Sequence, residues 1–269
     1  MKLPVLTGLA LLAGVSCTAH NDSARVRTFA ELPDWTGYWQ TPWSERTATP
    51  SGRSRGAGDF RDFLRSLPTL GQPPALLPEW EARYNAALAD TAARQAEFAN
   101  FKGCGNGAVR MEDTFPFVFE APMVFQIVIT PEETLFVFDH GQVRHVYTDG
   151  RQPPAPEDLW PTPMGFSLGH WQDGVLKIET SARSAGPIAP LLSPTELSDQ
   201  VHFTERLRQV DADTIEDAMT IDDPERFAMP WQVKFRFTRL AGMDRLIEFD
   251  CDENDRNPLV DGKLTISAP

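Results

Sequence analysis

The sequence predicts a mainly β protein, an antiparallel meander that forms a lipocalin-like barrel or a sandwich, with one amphipathic helix on its N-terminal side. After Met123, apolar and polar residues alternate in nine short runs, which is the pattern of half-buried strands. Turn sequences such as Asp173-Gly174 separate these runs. A barrel of about eight strands is wide enough to hold one small ligand.

Composition narrows the class of protein further. The chain has 269 residues, of which 41% are apolar and 23% are charged, as in globular proteins. Its 38 acidic and 25 basic residues give a net charge of −13. That sign is opposite to the basic surface of a nucleic-acid or anionic-membrane binder. We therefore expect no nucleic-acid partner and no membrane contact beyond a lipid anchor.

Residues 1–17 have the layout of a secretory signal. Lys2 is followed by an apolar run that ends at Val15, too short to remain in a bilayer as a spanning helix. Cys17 follows Gly14-Val15-Ser16 and resembles the lipidated cysteine of a bacterial lipoprotein. We expect a periplasmic protein with lipid on Cys17, and the alternative is simple cleavage near Ala19. Residues 18–34 are predicted to be a tether.

Two further cysteines remain, Cys104 and Cys251. In an oxidising periplasm they are expected to pair, which would close a loop of roughly 150 residues and stabilise the fold by about 4–5 kcal/mol. The alternative is two buried free thiols, because the count of cysteines alone does not establish geometry.

One domain is predicted over 35–269. Residues 41–78 are rich in proline and form an irregular segment, after which apolar residues recur at helical spacing from Trp80 to Phe98 and predict a helix over 79–101. The nine predicted strands are Phe125–Ile129, Leu135–Phe138, Val143–Tyr147, Phe166–Leu168, Leu176–Ile178, Val201–Leu207, Ile215–Ile221, Trp231–Phe237 and Ile247–Cys251.

Alternation along the strands selects the first pair of candidate catalytic residues. His170 has the parity of Phe166 and Leu168, and Glu205 has the parity of Phe203 and Leu207. Both side chains are therefore expected to point into the barrel, where a carboxylate beside an imidazole is a general acid/base pair. The alternative is a buried structural pair, with Arg206 or Arg208 close to Glu205.

The strand that ends at Tyr147 supplies the second set. Tyr147 and Arg151 are expected to hydrogen-bond an oxyanion or carboxylate at the barrel mouth, with Asp149 orienting either side chain. The alternative is a turn in which Asp149 bonds its own backbone and Gly150 supplies a positive φ.

Ligand binding is assigned to Trp171, His202, Arg206 and Trp231, although His202 lies on the opposite face of its strand from Glu205. Trp35, Trp39 and Trp43, spaced by four, are expected to pack in the core or to line a pocket. His140 and His145 fit no zinc site, and no metal or cofactor is expected. The letters Gly165 to Gly169 match a nucleophile elbow, but a hairpin follows them where that motif needs a helix.

Several segments together resemble a large, mostly uncharacterised family of exported proteins of proteobacteria and acidobacteria. The segments run from Cys104 to Asn254 and include the YTDGR sequence at Tyr147–Arg151, the GHW-x-x-G-x-L sequence at Gly169–Leu176, and TIDDP at Thr220–Pro224 with Pro230-Trp231. The resemblance implies a bacterial envelope location and a β fold. It places Tyr147, Asp149, Arg151, His170, Trp171 and Glu205 inside family motifs without assigning them roles. Gln172 replaces the acid of the family's WEGDTL segment.

Three hypotheses about function follow. The first is an enzyme that binds a small, largely apolar molecule and acts on it by metal-independent acid/base chemistry of the isomerase, dehydratase or lyase type. The second is a non-catalytic periplasmic ligand-binding or envelope lipoprotein. The third is an interaction protein, for which we expect a barrel filled by side chains.

Overall fold

The computed structural model describes residues 27–41, 74–89, 115–119, 124–139, 141–188, 195–246, 259–260 and 263–264. The predicted signal sequence over 1–17, Cys17, Trp43, Cys104, His140 and the predicted strand Ile247–Cys251 lie outside these residues. The same holds for the predicted tether up to 26 and for the predicted helix beyond 89.

Within the described residues, nine strands close a barrel, which confirms the predicted fold class. In chain order these strands are β1 (Tyr38–Gln40), β2 (Val124–Ile129), β3 (Glu133–Phe138), β4 (Val143–Tyr147), β5 (Phe166–Gln172), β6 (Val175–Ser181), β9 (His202–Asp211), β10 (Thr214–Asp222) and β11 (Trp231–Arg239). Around the barrel they follow the order β1, β11, β10, β9, β6, β5, β4, β3 and β2, and β2 pairs with β1.

Short elements complete the described chain. Outside the barrel, β7 (Gly186–Pro187) pairs with β8 (Glu196–Leu197), and β12 (Leu259–Val260) pairs with β13 (Lys263–Leu264). The described α-helix, α1, spans Pro78–Ala89, with proline at its first position and Glu79 and Glu81 in its first turn, where the helix dipole favours acids. Three 3₁₀ turns span Phe29–Glu31, Phe117–Phe119 and Pro156–Asp158.

Eight of the nine barrel strands coincide with predicted ones, and the ninth does not. β1 is only three residues long, which is too short for alternation to be recognised, yet Trp39 pairs with both Phe125 and Arg239 and so closes the barrel. The predicted meander is also interrupted once. β4 and β5 run parallel, because residues 148–165 return the chain to the end of the barrel where β4 began.

Phenylalanine side chains fill part of the barrel interior. The 3₁₀ turn Phe117–Phe119 inserts the Phe119 ring among five rings from the strands, at centroid distances of 5.1–5.9 Å from Phe125, Phe136, Phe138, Phe235 and Phe237. Arg183 anchors this segment by donating a hydrogen bond of 3.2 Å from Nε to the backbone oxygen of Phe115. Along the described residues, no helix has both the length and the apolar character needed to cross a membrane.

Candidate functional site

Two neighbouring residues of β4 mark two different polar sites. Successive side chains of a strand point to opposite faces of its sheet, so Arg144 enters the barrel while His145 faces outward. The Arg144 residue is 1% exposed, whereas the His145 side chain is 48% exposed. Each of the two is paired with a glutamate.

The inner site is a closed network around Arg144. Its guanidinium holds Glu205 of β9 with two hydrogen bonds, Nη1 to Oε2 at 2.8 Å and Nη2 to Oε1 at 2.5 Å. Nη2 also donates to Thr180 Oγ1 at 2.9 Å and to Ser167 Oγ at 3.2 Å. The Phe115 ring covers the guanidinium, with its centroid 4.0 Å from Cζ. This network is sealed from water by the same segment that fills the barrel.

A second carboxyl group, Asp217 of β10, lies beside this ion pair and is fully buried. Burial is the main cause that raises the pKa of Asp217 well above its ordinary value, and the negative charge of Glu205 raises it further. Both effects favour the protonated form of Asp217, in which Arg144 and Glu205 balance each other's charge.

The predicted inward pair of His170 and Glu205 does not form. Glu205 points into the barrel as predicted, but the inner face of β5 carries Ser167, Gly169 and Trp171, and His170 lies on the outer face opposite Lys177. The parity argument was wrong on β5 because Phe166 and Leu168, the apolar residues that share the parity of His170, lie on the outer face. Burial, followed by the charge of Lys177, lowers the pKa of His170 below its ordinary value.

Gly169 shows why β5 is oriented in this way. A Cβ atom built on it would lie 2.6 Å from Cγ1 of Val146 and 3.2 Å from Cδ1 of Leu176, so a larger residue does not fit there. Ser167, two positions earlier, hydrogen-bonds both Arg144 and Thr180. The inner face of β5 therefore holds a small polar residue at 167, where Arg144 and Thr180 bond it, and glycine at 169, where Val146 and Leu176 fill the space.

The outer site is a groove beside β4 and β5. It has a volume of about 280 Å³ and lies between the outer face of β4 and the segment that leads into β5. Tyr147 and Phe166 form an aromatic wall, with ring centroids 5.5 Å apart. The side chains and backbone that line it include Val143, His145, Tyr147, Thr162, Met164 and Phe166.

His145 contributes an imidazole to the lining of this groove. Its Nδ1 lies 2.9 Å from Oε2 of Glu133 on the neighbouring strand. When the carboxylate accepts the Nδ1 proton, Nε2 is left as the basic nitrogen, which is the arrangement of an oriented general base. The imidazole also stacks against Tyr147, with centroids 6.1 Å apart.

The predicted set of Tyr147, Asp149 and Arg151 is assembled beside the groove. Arg151 lies over the Tyr147 ring at 3.9 Å, and its Nε and Nη2 donate to the Asp149 carboxylate at 2.9 and 2.6 Å. This pairing lowers the pKa of Asp149 and raises that of Arg151. Asp149 also accepts a hydrogen bond from the Arg151 backbone, and Gly150 has φ of 78°, so the alternative turn geometry is present in the same residues.

The other predicted residues lie elsewhere. Trp171 and Trp231 are buried, whereas His202 and Arg206 lie on the outer face of β9, away from the groove. Trp35 and Trp39 are buried in the core, as one of the two predictions for them required. The disulfide prediction for Cys104 and Cys251 and the lipid prediction for Cys17 fall outside the described residues. No three metal-binding side chains among the residues described here lie close enough to hold an ion.

Sequence reasoning missed Arg144, Asp217 and the pairing of His145 with Glu133. Arg144 and Asp217 each occupy the inward parity of a strand whose other inward residues are apolar, so strict alternation would have found them. The pairing of His145 with Glu133 depends on the register of β3 and β4, which alternation alone does not supply.

Comparison of the chain with protein-family models, with curated proteins and with solved structures finds no match.

Proposed function

We propose that the protein binds a small, largely apolar molecule in the outer groove and moves a proton on it, in a reaction of the isomerase, dehydratase or lyase type. The observation that carries this proposal is the meeting of the aromatic wall of Tyr147 and Phe166 with His145, which Glu133 orients through Nδ1. An apolar wall with a few convergent polar groups is the usual composition of a small-molecule site.

Each group of the groove has a distinct role in this proposal. His145 exchanges a proton with the ligand through Nε2, and Glu133 holds the tautomer and stabilises the imidazolium that forms. The Tyr147 hydroxyl donates a hydrogen bond to the oxygen on which negative charge develops. Arg151, stacked on the Tyr147 ring, fixes the orientation of that ring and supplies positive charge close to it.

A second candidate is a non-catalytic ligand-binding protein with the same groove. The cover over the inner network favours it, because the Phe115 and Phe119 rings shield the buried guanidinium of Arg144 from a ligand. In this reading Tyr147 and His145 orient the ligand and no proton moves.

Location is part of the proposal. The signal-like residues 1–17, the lipoprotein-like sequence before Cys17, the presence of just two further cysteines, Cys104 and Cys251, and the resemblance to exported envelope proteins support a periplasmic, lipid-anchored protein. Intact mass spectrometry of the protein from its native envelope tests these points. A mature chain that begins at Cys17 with added acyl mass is expected, and an unmodified N-terminus further along the chain would contradict lipidation.

The functional test starts with native mass spectrometry of the same preparation, to detect a bound small molecule. Indole and p-cresol serve as probes in NMR titrations if the preparation carries none. We expect Tyr147→Ala and Phe166→Ala to weaken binding at least tenfold, and His145→Gln to retain binding but lose turnover of the identified ligand. His202→Gln, an outward histidine of β9, is the matched control.

The outcomes separate the candidates. Full turnover by His145→Gln would reject the catalytic proposal and favour the non-catalytic one. Unchanged binding by both aromatic variants, or no binding of any probe to the wild type, would reject the groove as the ligand site.

A further inference from the structure

The backbone of β4 has an open hydrogen-bonding edge inside the groove. In an antiparallel pair, the backbone groups of successive residues point alternately towards and away from the partner strand. The hydrogen bonds from Phe138 N to Gln142 O and from Thr148 N to Glu132 O show that the even-numbered residues of β4 face β3. The N–H and C=O groups of Val143, His145 and Tyr147 therefore face β5.

β5 covers only part of this edge. Its register with β4 comprises Val146 opposite Ser167 and Tyr147 opposite Leu168. The backbone N–H and C=O of Val143 and the N–H of His145 have no hydrogen-bond partner among the described residues. These three groups belong to two residues that line the groove.

The segment before β5 is held away from β4 by other hydrogen bonds. Thr162 N donates to Ala182 O at 3.0 Å, and Ser184 N donates to Thr162 O at 2.9 Å, which ties the segment to the end of β6. Gly165, with φ of 70°, then turns the chain into β5. The gap between β4 and this segment is therefore built into the fold.

The charges of the groove restrict what fits there. Arg151, the cationic side chain stacked on the aromatic wall, is already matched by Asp149, and His145 lies against the carboxylate of Glu133. Among the described residues that line this wall, no unmatched arginine or lysine is left for an anionic group, and the chain as a whole carries a net charge of −13. A neutral or basic ligand suits this surface better than an acidic one.

We propose that the ligand of this groove is a short, extended, neutral or basic peptide that pairs with the open edge of β4. One ligand N–H donates to the C=O of Val143, and ligand carbonyl groups accept from the N–H groups of Val143 and His145, as in strand addition at a sheet edge. An apolar side chain of the peptide lies against Tyr147 and Phe166. The edge spans two residues, roughly 7 Å, which matches the core of a tripeptide. This inference rests on the proposed function, because it names the ligand class of the same groove.

The probe is the capped tripeptide acetyl-Lys-Phe-Lys-amide, titrated into the ¹⁵N-labelled full chain. We expect the amide signals of Val143 and His145 to shift together with those of Tyr147 and Phe166. Three further peptides each carry one N-methyl group, on the amide of the first, second or third residue. Since the edge offers one acceptor, N-methylation at one position is expected to weaken binding at least tenfold while the other positions have smaller effects.

A protein variant tests the same contact from the other side. Val143→Pro removes an N–H that takes no part in the ladder with β3, so proline is compatible with this position of the strand. We expect it to weaken peptide binding at least fivefold, whereas the control Val143→Ala, which keeps the N–H, loses less. If Val143→Pro does not fold, the N-methyl series decides alone.

The failures of the two proposals are distinguishable. Equal binding of all three N-methylated peptides, or binding of indole and p-cresol without any binding of the peptide, would overturn the peptide inference and leave the groove as a small-molecule site. Absence of binding by the peptide, indole and p-cresol alike would overturn both. Binding of acetyl-Glu-Phe-Glu-amide as tightly as the lysine peptide would contradict the charge preference.

Discussion

Arg144 and His145 are consecutive residues that each pair with a glutamate, and the pairs have opposite physical characters. Arg144 and Glu205 lie inside the barrel with side chains 1% and 0% exposed, whereas His145 and Glu133 lie on the outer wall with side chains 48% and 30% exposed. Water screens the outer pair, and it is absent from the inner one. The inner pair is therefore expected to contribute to stability, and the outer pair is the one on which the proposed function depends.

The comparison shows that a buried charge network is weak grounds for assigning a function. The inner network has the residue types of a catalytic centre, including a carboxyl group whose pKa is strongly raised. Yet the rings of Phe115 and Phe119 cover its guanidinium. The outer pair is partly exposed to water, but its His145 lines the described groove.

The largest expected effect on stability comes from removal of the inner carboxylate, that of Glu205. Glu205→Ala leaves the Arg144 guanidinium buried and uncompensated, which is expected to lower the free energy of unfolding by about 3–5 kcal/mol. Urea unfolding monitored by circular dichroism measures it, with Glu205→Gln as a milder variant should the alanine variant fail to fold. A loss below 1 kcal/mol would mean that the inner pair does not stabilise the barrel.

The second expected effect is a pH dependence of the free energy of unfolding, caused by Asp217. Its pKa is raised in the folded state, so the folded protein keeps a proton that the unfolded chain releases above its ordinary pKa of 3.8. The contribution of Asp217 to the free energy of unfolding is fully present below pH 3.8. It falls as the pH rises towards the folded pKa, by at most about 1.4 kcal/mol per pH unit. Asp217→Asn should remove this slope from unfolding free energies measured between pH 4 and 8.

A variant at Glu205 sharpens that measurement. The Glu205 charge contributes to the raised pKa of Asp217, so Glu205→Gln should allow Asp217 to ionise beside Arg144 at lower pH. The slope should then become smaller than in the wild type. If the free energy of unfolding still falls with pH as in the wild type in either Glu205→Gln or Asp217→Asn, a group other than Asp217 causes the pH dependence.

The third effect concerns the packing in front of β5. Gly169→Ala places a methyl group 2.6 Å from Val146 Cγ1, inside the barrel, and is expected to cost about 1–3 kcal/mol through overpacking. Gly141→Ala is a useful control, because a Cβ there meets no atom within 4 Å, although its φ of 85° adds backbone strain. Thermal unfolding compares the two, and a smaller loss for Gly169→Ala than for Gly141→Ala would be evidence against a filled interior.

The smallest effect on stability is expected from the outer pair. Glu133→Gln removes the charge that faces His145 but leaves both side chains partly in water, so the free energy of unfolding should fall by about 0.2–1 kcal/mol. The same variant should reduce turnover by about tenfold or more, because the imidazole loses its orienting carboxylate. Loss of more than 2 kcal/mol of stability would erase the contrast between the two pairs.

The pattern of the sequence was sufficient for most of the barrel. Alternation located β2 to β6 and β9 to β11 because half-buried strands expose one face to the core and the other to solvent. It placed Glu205 on the inner face correctly, and the residue types at the end of β4 predicted Tyr147, Asp149 and Arg151 as a group that the structure does hold together. These are local properties of single strands and turns.

Alternation failed on β5 for an identifiable reason. The apolar character of Phe166 and Leu168 predicts that they face inward, but Phe166 contacts Tyr147 on the outer wall, under the segment that precedes β5. On the inner face, Ser167 accepts a hydrogen bond from Arg144, and the side chains of Val146 and Leu176 leave room only for glycine at 169. At this level of β5 the inner face contacts a polar network and the outer face is covered by a chain segment. An apolar residue there can therefore face outward, contrary to the usual rule for strands.

The sequence by itself determined the fold class, the strands and the small set of titratable residues from which any site must be built, because these follow from the polarity of neighbouring residues. Only the tertiary structure decided which of them meet. The parallel pairing of β4 with β5 created the groove and left the edge at Val143 and His145 open, and the register of β3 with β4 brought Glu133 to His145. Such contacts join residues on different strands, and they depend on register and on chain return, which no single strand encodes.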